Sequence, residues 1–569
     1  MPTATPPPAS RSAVKDLLLL VLVAGAFFVL PSWNRPLWTP DEGRYAEIPR
    51  EMVQRGDWVT PRLNGVKYFE KPPLLYWLTA ASIETCGIRE WALRAWPWAF
   101  AVAGCALAYG LARKLWGRRA GLLAGLVLAT SPLYYFLSTV LILDMAVSVL
   151  LAATLAAFLL AVDEDDARRR RLLLAAMYVA AALATLAKGL IGAALPGLII
   201  LVWLVISRRW AVLRRCGLPW GVPLYLAIAA PWHLLASARN PEFAYFYFIH
   251  EHFLRYTTTI HERQEPFWFF APILLVGMLP WIVLVPQAFG GFLRRFRRRA
   301  AGADRELFLW LWAGLIFLFF SASDSKLVPY ILPVLPPLAV LLGARLDRML
   351  AGGERAPAAG WTLVVLGIVL AAPFLGLPFL VDHVAALEHQ VAKLGGALPP
   401  GSTWRALAVG AGFLATGLGG LALARPLARR GVLALAGGGG VLLVALATVP
   451  PLLDPSRTVK PLALALDAHL APGDEVITYR DYPQDLPVYL GRTVTIAEYK
   501  GELRFGTTVE DTSRWMIDEP EFWRRWLSGE RKWLVLRAAD LERLTRQGRG
   551  TFRPVFRWGP HLLLTNRAD

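Results

Sequence analysis

The sequence predicts a polytopic α-helical membrane protein carrying a soluble domain after its last span, and three observations lead there. Of 569 residues, 56% are hydrophobic and only 18% charged, where a soluble chain carries roughly a quarter charged residues. Apolar stretches of about twenty residues, enough to cross roughly 30 Å of hydrocarbon as helix, recur up to about residue 450. Beyond it the chain changes character, with charges of both signs and short strand-like runs. The composition excludes disordered and collagenous chains, and with 3 cysteines a disulfide-stapled one. A net charge of +18 suggests a nucleic-acid binder only where the charge clusters on a solvated domain. Here it lies in short loops between spans, so no nucleic-acid partner is expected.

In chain order, residues 1–13 form a short Pro-rich cytoplasmic tip and 14–450 a transmembrane domain. Thirteen spans are expected there, at 14–32, 91–112, 119–137, 142–162, 171–187, 189–207, 219–237, 268–289, 306–322, 327–346, 361–381, 404–424 and 431–449. The first is too long for a signal peptide and lacks the small-residue cleavage site, so it reads as a retained helix. Arg113-Lys114 with Arg118-Arg119, Arg168 to Arg171, Arg208-Arg209 with Arg214-Arg215, Arg294-Arg295 with Arg297 to Arg299, and Arg425 with Arg429-Arg430 fall on one side of this layout. The positive-inside rule makes that side the cytoplasm. The other side then holds a long first loop at 34–90, a second at 238–267, and the domain 451–569, in which Glu475 to Tyr479 and Trp533 to Leu536 read as strands and Glu519 to Leu527 as helix. That domain is expected to be α/β or α+β. Cys86, Cys105 and Cys216 fall at different depths, so no disulfide framework is available.

The outer loops are denser in charge and aromatic residues than connectors need to be. Lys71 precedes Pro72-Pro73, which holds it in extended backbone where a helix begins; a lysine beside a positive helix terminus suits a phosphate. The competing reading is a lysine snorkelling at the membrane surface. Asp144 is a lone carboxylate at the outer end of an apolar span, where isolated charge is costly and usually functional; the alternative is an ion pair, with a partner expected from the first loop. Lys188, His250-Glu251-His252, Arg255, Tyr256, Lys326 and Tyr330 complete the set. Several cations on one membrane face, with Asp41, Glu42 and Asp144 nearby, suit an anionic headgroup and a reacting group oriented by carboxylates. Glu70, His250 and His252 are also candidate ligands for a divalent metal such as zinc, provided the backbone at 250–252 is irregular, since helical residues two apart point different ways.

The string Pro36-Leu37-Trp38-Thr39-Pro40-Asp41-Glu42-Gly43-Arg44-Tyr45-Ala46-Glu47-Ile48-Pro49-Arg50-Glu51-Met52, followed by Tyr68-Phe69-Glu70-Lys71-Pro72-Pro73-Leu74 and, in the tail, Gly501-Glu502-Leu503-Arg504-Phe505-Gly506, resembles the aminoarabinose transferases that modify lipid A. With thirteen spans, a long acidic first loop and an outer C-terminal domain, the chain is similar to the GT-C glycosyltransferases. The resemblance implies inverting transfer of 4-amino-4-deoxy-L-arabinose from undecaprenyl phosphate to a lipid A phosphate. It places a monomeric multi-pass enzyme in a bacterial inner membrane, its site facing the periplasm, with membrane lipids as partners and resistance to polymyxin and other cationic peptides as the outcome. It also implies that Lys71, Arg255, Tyr68 and Tyr330 hold the carrier phosphate. Asp41, Arg44, Tyr45 and Asp144, joined by Glu42, Lys188 and Lys326, would line the sugar and acceptor site, with Asp41, Asp144 and Lys71 as the catalytic set.

Displacement at the anomeric carbon builds positive charge on the sugar and negative charge on the departing phosphate, so cations belong at the leaving group and carboxylates near the sugar. Two nearer rivals are transfer of another polyprenyl-phosphate sugar, such as mannose or galactosamine, and a protein hydroxyl as acceptor. A transporter or flippase usually shows internal repeats and mid-membrane charge; neither is evident, and the unusual charges sit at outer helix ends.

Overall fold

The computed structural model describes residues 9–254, 265–352, 355–380, 399–425 and 428–567. Among the described residues ten helices are long and apolar enough to span a membrane, from Ala13–Ser32 to Arg430–Arg457, with Ile191–Ser207 a shorter apolar one. Two expected spans, 119–137 and 268–289, are not straight helices. The first is Arg118–Ala129 followed by Pro132–Ser138 at 66°, the second Phe270–Gly277 followed by Trp281–Arg297 at 105°. Proline explains both breaks: Pro132 and Pro280 bring no N–H, and the residue before Pro132, Ser131, is pushed to extended backbone (φ −77°, ψ 121°). At the first break Ser131 Oγ donates to Val127 O at 2.7 Å, and Thr130 Oγ1 donates at 2.6 Å to Leu126 O, which also accepts from the Thr130 amide at 3.0 Å. The indole of Trp281 then donates to Thr130 Oγ1 at 2.9 Å, tying the two bends together. The last span also runs on to Arg457 rather than stopping near 449.

Burial ranks the spans. The most apolar stretch of Asp144–Val162 is 89% buried and that of Val328–Leu350 83%, against 17% for Ala13–Ser32 and Pro357–Phe379. The first two form the centre of the bundle and the last two expose apolar faces of the kind lipid covers. At the arginine-rich end, ion pairs tie the spans together, Arg118 to Asp16 and Arg209 to both Asp163 and Asp304, while Arg295 pairs with Glu306 across the turn between consecutive helices.

The C-terminal domain is a six-stranded mixed sheet. After a two-stranded hairpin in the first loop, β1 (Arg62–Leu63) and β2 (Val66–Lys67), its strands are β3 (Glu475–Tyr479), β4 (Thr495–Ala497), β5 (Met516–Ile517), β6 (Lys532–Arg537), β7 (Arg553–Trp558) and β8 (His561–Thr565), in the order β5-β4-β3-β6-β8-β7. The β5-β4-β3-β6 half is parallel and β8 and β7 close it antiparallel. Alternation along the strands sorts the side chains: Ile477, Tyr479, Leu534 and Leu536 meet Phe522, Trp526 and Leu544 in a small core, while Val476, Trp533 and Val535 join the large core shared with the membrane domain.

That sharing has a visible seam. The first-loop helix Asp41–Arg55 lies against helix Asp485–Leu490, so close at Gly43 that an added Cβ would stand 2.5 Å from the Asp485 amide nitrogen. Asn64 exchanges two hydrogen bonds with the Val494 backbone, at 2.8 and 2.9 Å, and Arg62 reaches both Glu510 oxygens at 3.0 and 2.9 Å. Arg50 pairs bidentately with buried Glu47 at 2.7 and 2.6 Å and donates to Gly491 O at 3.0 Å. Burial raises the Glu47 carboxyl to about 8, opposed by Arg50, with neighbouring Glu51 adding to the rise. Lys460 of the C-terminal region pairs with Glu90 at the start of the second span.

Candidate functional site

The helix Asp41–Arg55 presents two different faces. Its first turn carries Asp41 and Glu42, favourable beside the positive helix end, but the two carboxylates are used differently. Glu42 is fully buried, and both oxygens are occupied. Oε1 accepts from Arg94 Nε at 2.7 Å and Leu141 N at 2.8 Å; Oε2 accepts from Arg94 at 2.9 Å and Trp38 N at 2.9 Å; Arg35 lies 3.2 Å away. Against the cost of burial, Arg35 and Arg94 hold its carboxyl at about 2. The expectation that Glu42 lines the sugar or acceptor site is therefore corrected: it is a structural anchor between the first loop and the bundle.

Asp41, by contrast, is 60% exposed and pairs with Arg44 at 2.9 Å. Arg44 is the hub of the pocket. One of its terminal nitrogens also donates to Tyr68 Oη at 2.8 Å and lies 2.8 Å from Glu502 Oε2, a carboxylate supplied by the C-terminal domain. Glu502 is held in turn by Gln484, whose side-chain amide donates to it at 2.6 Å while its backbone N–H donates to Thr39 Oγ1 at 3.2 Å. Tyr45 stacks on Tyr76, ring centres 5.8 Å apart. Burial raises the Tyr45 hydroxyl well above its usual range, and Tyr76, Asp41 and Asp144 add to the rise against Arg44. Asp41, Arg44, Tyr45, Tyr68 and Asp144 thus share one neighbourhood.

Asp144 finds its partner elsewhere than expected. It pairs with Lys188, at the end of helix Ala167–Lys188, and not with a first-loop group. The Lys188 ammonium lies 4.3 Å from the Tyr330 ring centre, a cation–π contact that attaches Tyr330 to the Asp144 pair. Lys326 is corrected too: it is buried, and its ammonium donates to the carbonyls of Ser323 (2.5 Å) and Glu265 (2.8 Å), so it braces the loop before the Val328–Val334 turn.

Lys71 sits just before helix Leu74–Cys86, as the proline pair predicts, its ammonium 2.9 Å from Glu70 O and 3.8 Å from Glu251 Oε2. Glu251 and His250 belong to an irregular π-helical segment, Tyr245–Leu254, and His250 Nδ1 lies 3.3 Å from Glu251 Oε1. The neighbouring Phe246 stacks on Phe505 of the C-terminal domain at 3.6 Å, so that domain covers the pocket from this side as well. Arg255 and the His252 side chain lie outside the described residues. The metal reading of Glu70, His250 and His252 therefore has one of its three side chains outside the described residues; among the described residues no group of three acidic, histidine or cysteine side chains gathers as a metal site.

Comparison with known proteins gives this arrangement its context. Residues 14–247 match the family model for dolichyl-phosphate-mannose-protein mannosyltransferase, and residues 462–555 that for the aminoarabinose transferase C-terminal domain. A Pectobacterium carotovorum protein named undecaprenyl phosphate-alpha-4-amino-4-deoxy-L-arabinose arabinosyl transferase is 31% identical over 545 residues, 91% of each chain. The chain belongs to the aminoarabinose transferase family. An Aeromonas hydrophila protein of the same name is 33% identical over 67% of this chain and 69% of its own length. The crystal structure of ArnT from Cupriavidus metallidurans bound to undecaprenyl phosphate superposes with a TM-score of 0.81 at 32% identity, covering 98% of this chain and 99% of that one. The oligosaccharyltransferase AglB from Archaeoglobus fulgidus shares the fold at a TM-score of 0.52 and 13% identity, over 94% of this chain and 70% of its own. This aminoarabinose transferase family member is thus a GT-C membrane glycosyltransferase with an added β-sheet domain. Sequence reading missed three of its pocket residues, Glu502, Gln484 and Tyr76. The signal for Glu502 was present in the tail motif, but nothing local connects that motif to a loop more than four hundred residues earlier.

Proposed function

We propose that the chain transfers 4-amino-4-deoxy-L-arabinose from undecaprenyl phosphate to a phosphate of lipid A, working as a monomer on the periplasmic face of a bacterial inner membrane. The observation that carries this reading is the pairing of unlike charges among residues of the first loop, the bundle and the C-terminal domain. The Lys71 ammonium stands before a helix start, while Asp41, Asp144 and Glu502 gather around Arg44 and Lys188. The donor phosphate belongs beside Lys71 and Tyr68, with Tyr330 contributing from the bundle; Arg255, expected in the same set, lies outside the described residues. As the sugar–phosphate bond breaks, negative charge grows on the departing polyprenyl phosphate and is met by the ammonium; the sugar carbon, gaining positive charge, faces the carboxylates. Attack from the opposite face inverts the anomeric centre. Lys188 holds Asp144 in place and Arg44 holds Asp41, so both carboxylates are oriented before substrate arrives.

A lipid A phosphate is already an anion at neutral pH and needs little proton removal. Asp41→Asn is therefore expected to lower transfer by no more than about tenfold, whereas a hydroxyl acceptor that used Asp41 as base would suffer a loss of about 10²–10⁴. Steady-state rates on defined acceptors separate the two. Mass spectrometry of lipid A from cells with and without the gene tests the whole reading: a mass difference matching aminoarabinose is expected, and identical spectra under inducing conditions would overturn it.

A further inference from the structure

Next to the Arg35–Glu42 anchor the bundle leaves an apolar cavity of about 490 Å³, with Arg35 in its wall. The two broken spans make room for it: Leu133 lines it from one and Val276 from the other, while Pro31 of the first span and Leu446 of the last close its sides. A second cavity of about 550 Å³ adjoins it, sharing Pro31, Arg35, Ala447 and Pro450, and adds Trp33, Asn34 and Asp454 to the wall. Trp33 stacks on Trp91 and Trp98, ring centres 5.2 and 6.2 Å away. Such aromatic groups mark the level of lipid headgroups. The first and last spans both end here, so the apolar cavity reaches back along them from that level and the polar one lies at it.

Arg35 joins the two compartments. It is only 8% exposed, and its Nη2 donates to Glu42 at 3.3 Å and to the Thr139 carbonyl at 2.7 Å, but its buried Nη1 has no hydrogen-bond partner. Buried guanidinium N–H groups are almost always satisfied, and one left open costs free energy that a ligand's acceptor recovers. Asp454 uses Oδ1 for the Trp38 indole at 2.8 Å, which leaves its second oxygen for a donor. An anion alone would meet the Asp454 carboxylate, and a cation alone would leave the Arg35 N–H open. A headgroup carrying both charges satisfies both residues, and a hydrocarbon chain attached to it enters the apolar cavity.

We propose that the adjoining cavities hold one membrane phospholipid with a phosphate–ammonium headgroup, its phosphate at Arg35 and Asn34, its ammonium at Asp454 and an acyl chain in the apolar cavity. The lipid is neither donor nor acceptor. Arg35 stands between it and Glu42, so it braces the anchor at the start of the loop helix, whereas the reacting groups gather around Arg44 and Lys71.

The test uses full-length protein stripped of lipid in detergent, with phosphatidylethanolamine and phosphatidylglycerol of identical chains as probes and native mass spectrometry as the readout. Wild type should bind one phosphatidylethanolamine about tenfold more tightly than phosphatidylglycerol, the usual worth of one hydrogen bond to a charged group. D454N should lose most of that preference, since the ammonium loses its carboxylate while the phosphate contacts remain. A447W and V276W each fill the apolar cavity with an indole and should bind both lipids about tenfold or more weakly, because the chain loses its buried methylenes. Lipid should raise the melting temperature of wild type and leave that of the plugged variants unmoved; their lipid-free melting, expected to match wild type, shows that they are folded. Wild type without the preference, D454N with the full preference, or plugged variants that bind as wild type does overturn the site. Displacement of the phospholipid by stoichiometric lipid A overturns it as well and gives the cavity to the acceptor's chains.

Discussion

Replacing Lys71 by alanine should lower the turnover number by about a hundredfold or more, the usual consequence of removing one fixed group that meets charge developing in a transition state. The protein should still insert and fold, because Lys71 lies in the loop just before helix Leu74–Cys86, outside the buried cores, with a carbonyl hydrogen bond at 2.9 Å and a long ion pair at 3.8 Å among its contacts. K71R should retain part of the activity, since the charge survives while the compact ammonium geometry does not. Turnover is measured on the purified protein, with thermal melting as the control for folding. Alanine variants working at the wild-type rate would remove Lys71 from the leaving-group role and leave it a surface lysine.

Glu42→Ala should be the most damaging single change to stability, at about 3–5 kcal/mol, the range for stripping one partner from a buried charge pair. Two arginines, Arg35 and Arg94, would be left facing each other in a site from which water is excluded, Arg94 being wholly buried. Acid offers an independent check. The Glu42 carboxyl is held at about 2 in the folded protein against 4.5 for the free side chain. Its stabilising share is thus fully present above about 4.5 and is lost as pH falls toward 2. Wild-type melting temperature should drop through that interval more steeply than that of the variant, which has no carboxyl there to protonate. Equal slopes would show that Glu42 contributes nothing through its charge.

These two residues also show what a chain of letters discloses. Spans were legible because hydrocarbon imposes one pattern, about twenty apolar residues, wherever the chain crosses. Lys71 was legible because two following prolines fix its backbone whatever else surrounds it. Glu42 was not: an Asp-Glu pair in an outer loop reads as one acidic feature, and only the turn of the helix sends Asp41 toward the pocket and Glu42 toward Arg94. Asp144 was found as an exceptional charge, but its partner Lys188 lies one span further along and pairs through tertiary packing. Lys326 was chosen for its charge, whereas its ammonium serves one backbone carbonyl of its own loop and one of the loop before Phe270, Ser323 O and Glu265 O. The bends at Pro132 and Pro280 had a local cause in the sequence, although the hydropathy profile runs through both without interruption.

The surroundings of Arg44 are assembled from residues 41–76 and 484–505, two stretches separated by almost every span in the protein. A ribosome that has delivered the first loop has therefore delivered only half of the recognition surface, and the helix carrying Glu47, Arg50 and Glu51 waits without the surface it later packs against. Such a nascent chain holds the cation intended for the carrier lipid long before it holds Glu502. Closure of the site by the C-terminal domain should consequently be the last step of the molecule's biogenesis. A copy that stops short of it would leave the first-loop helix without the surface it packs against.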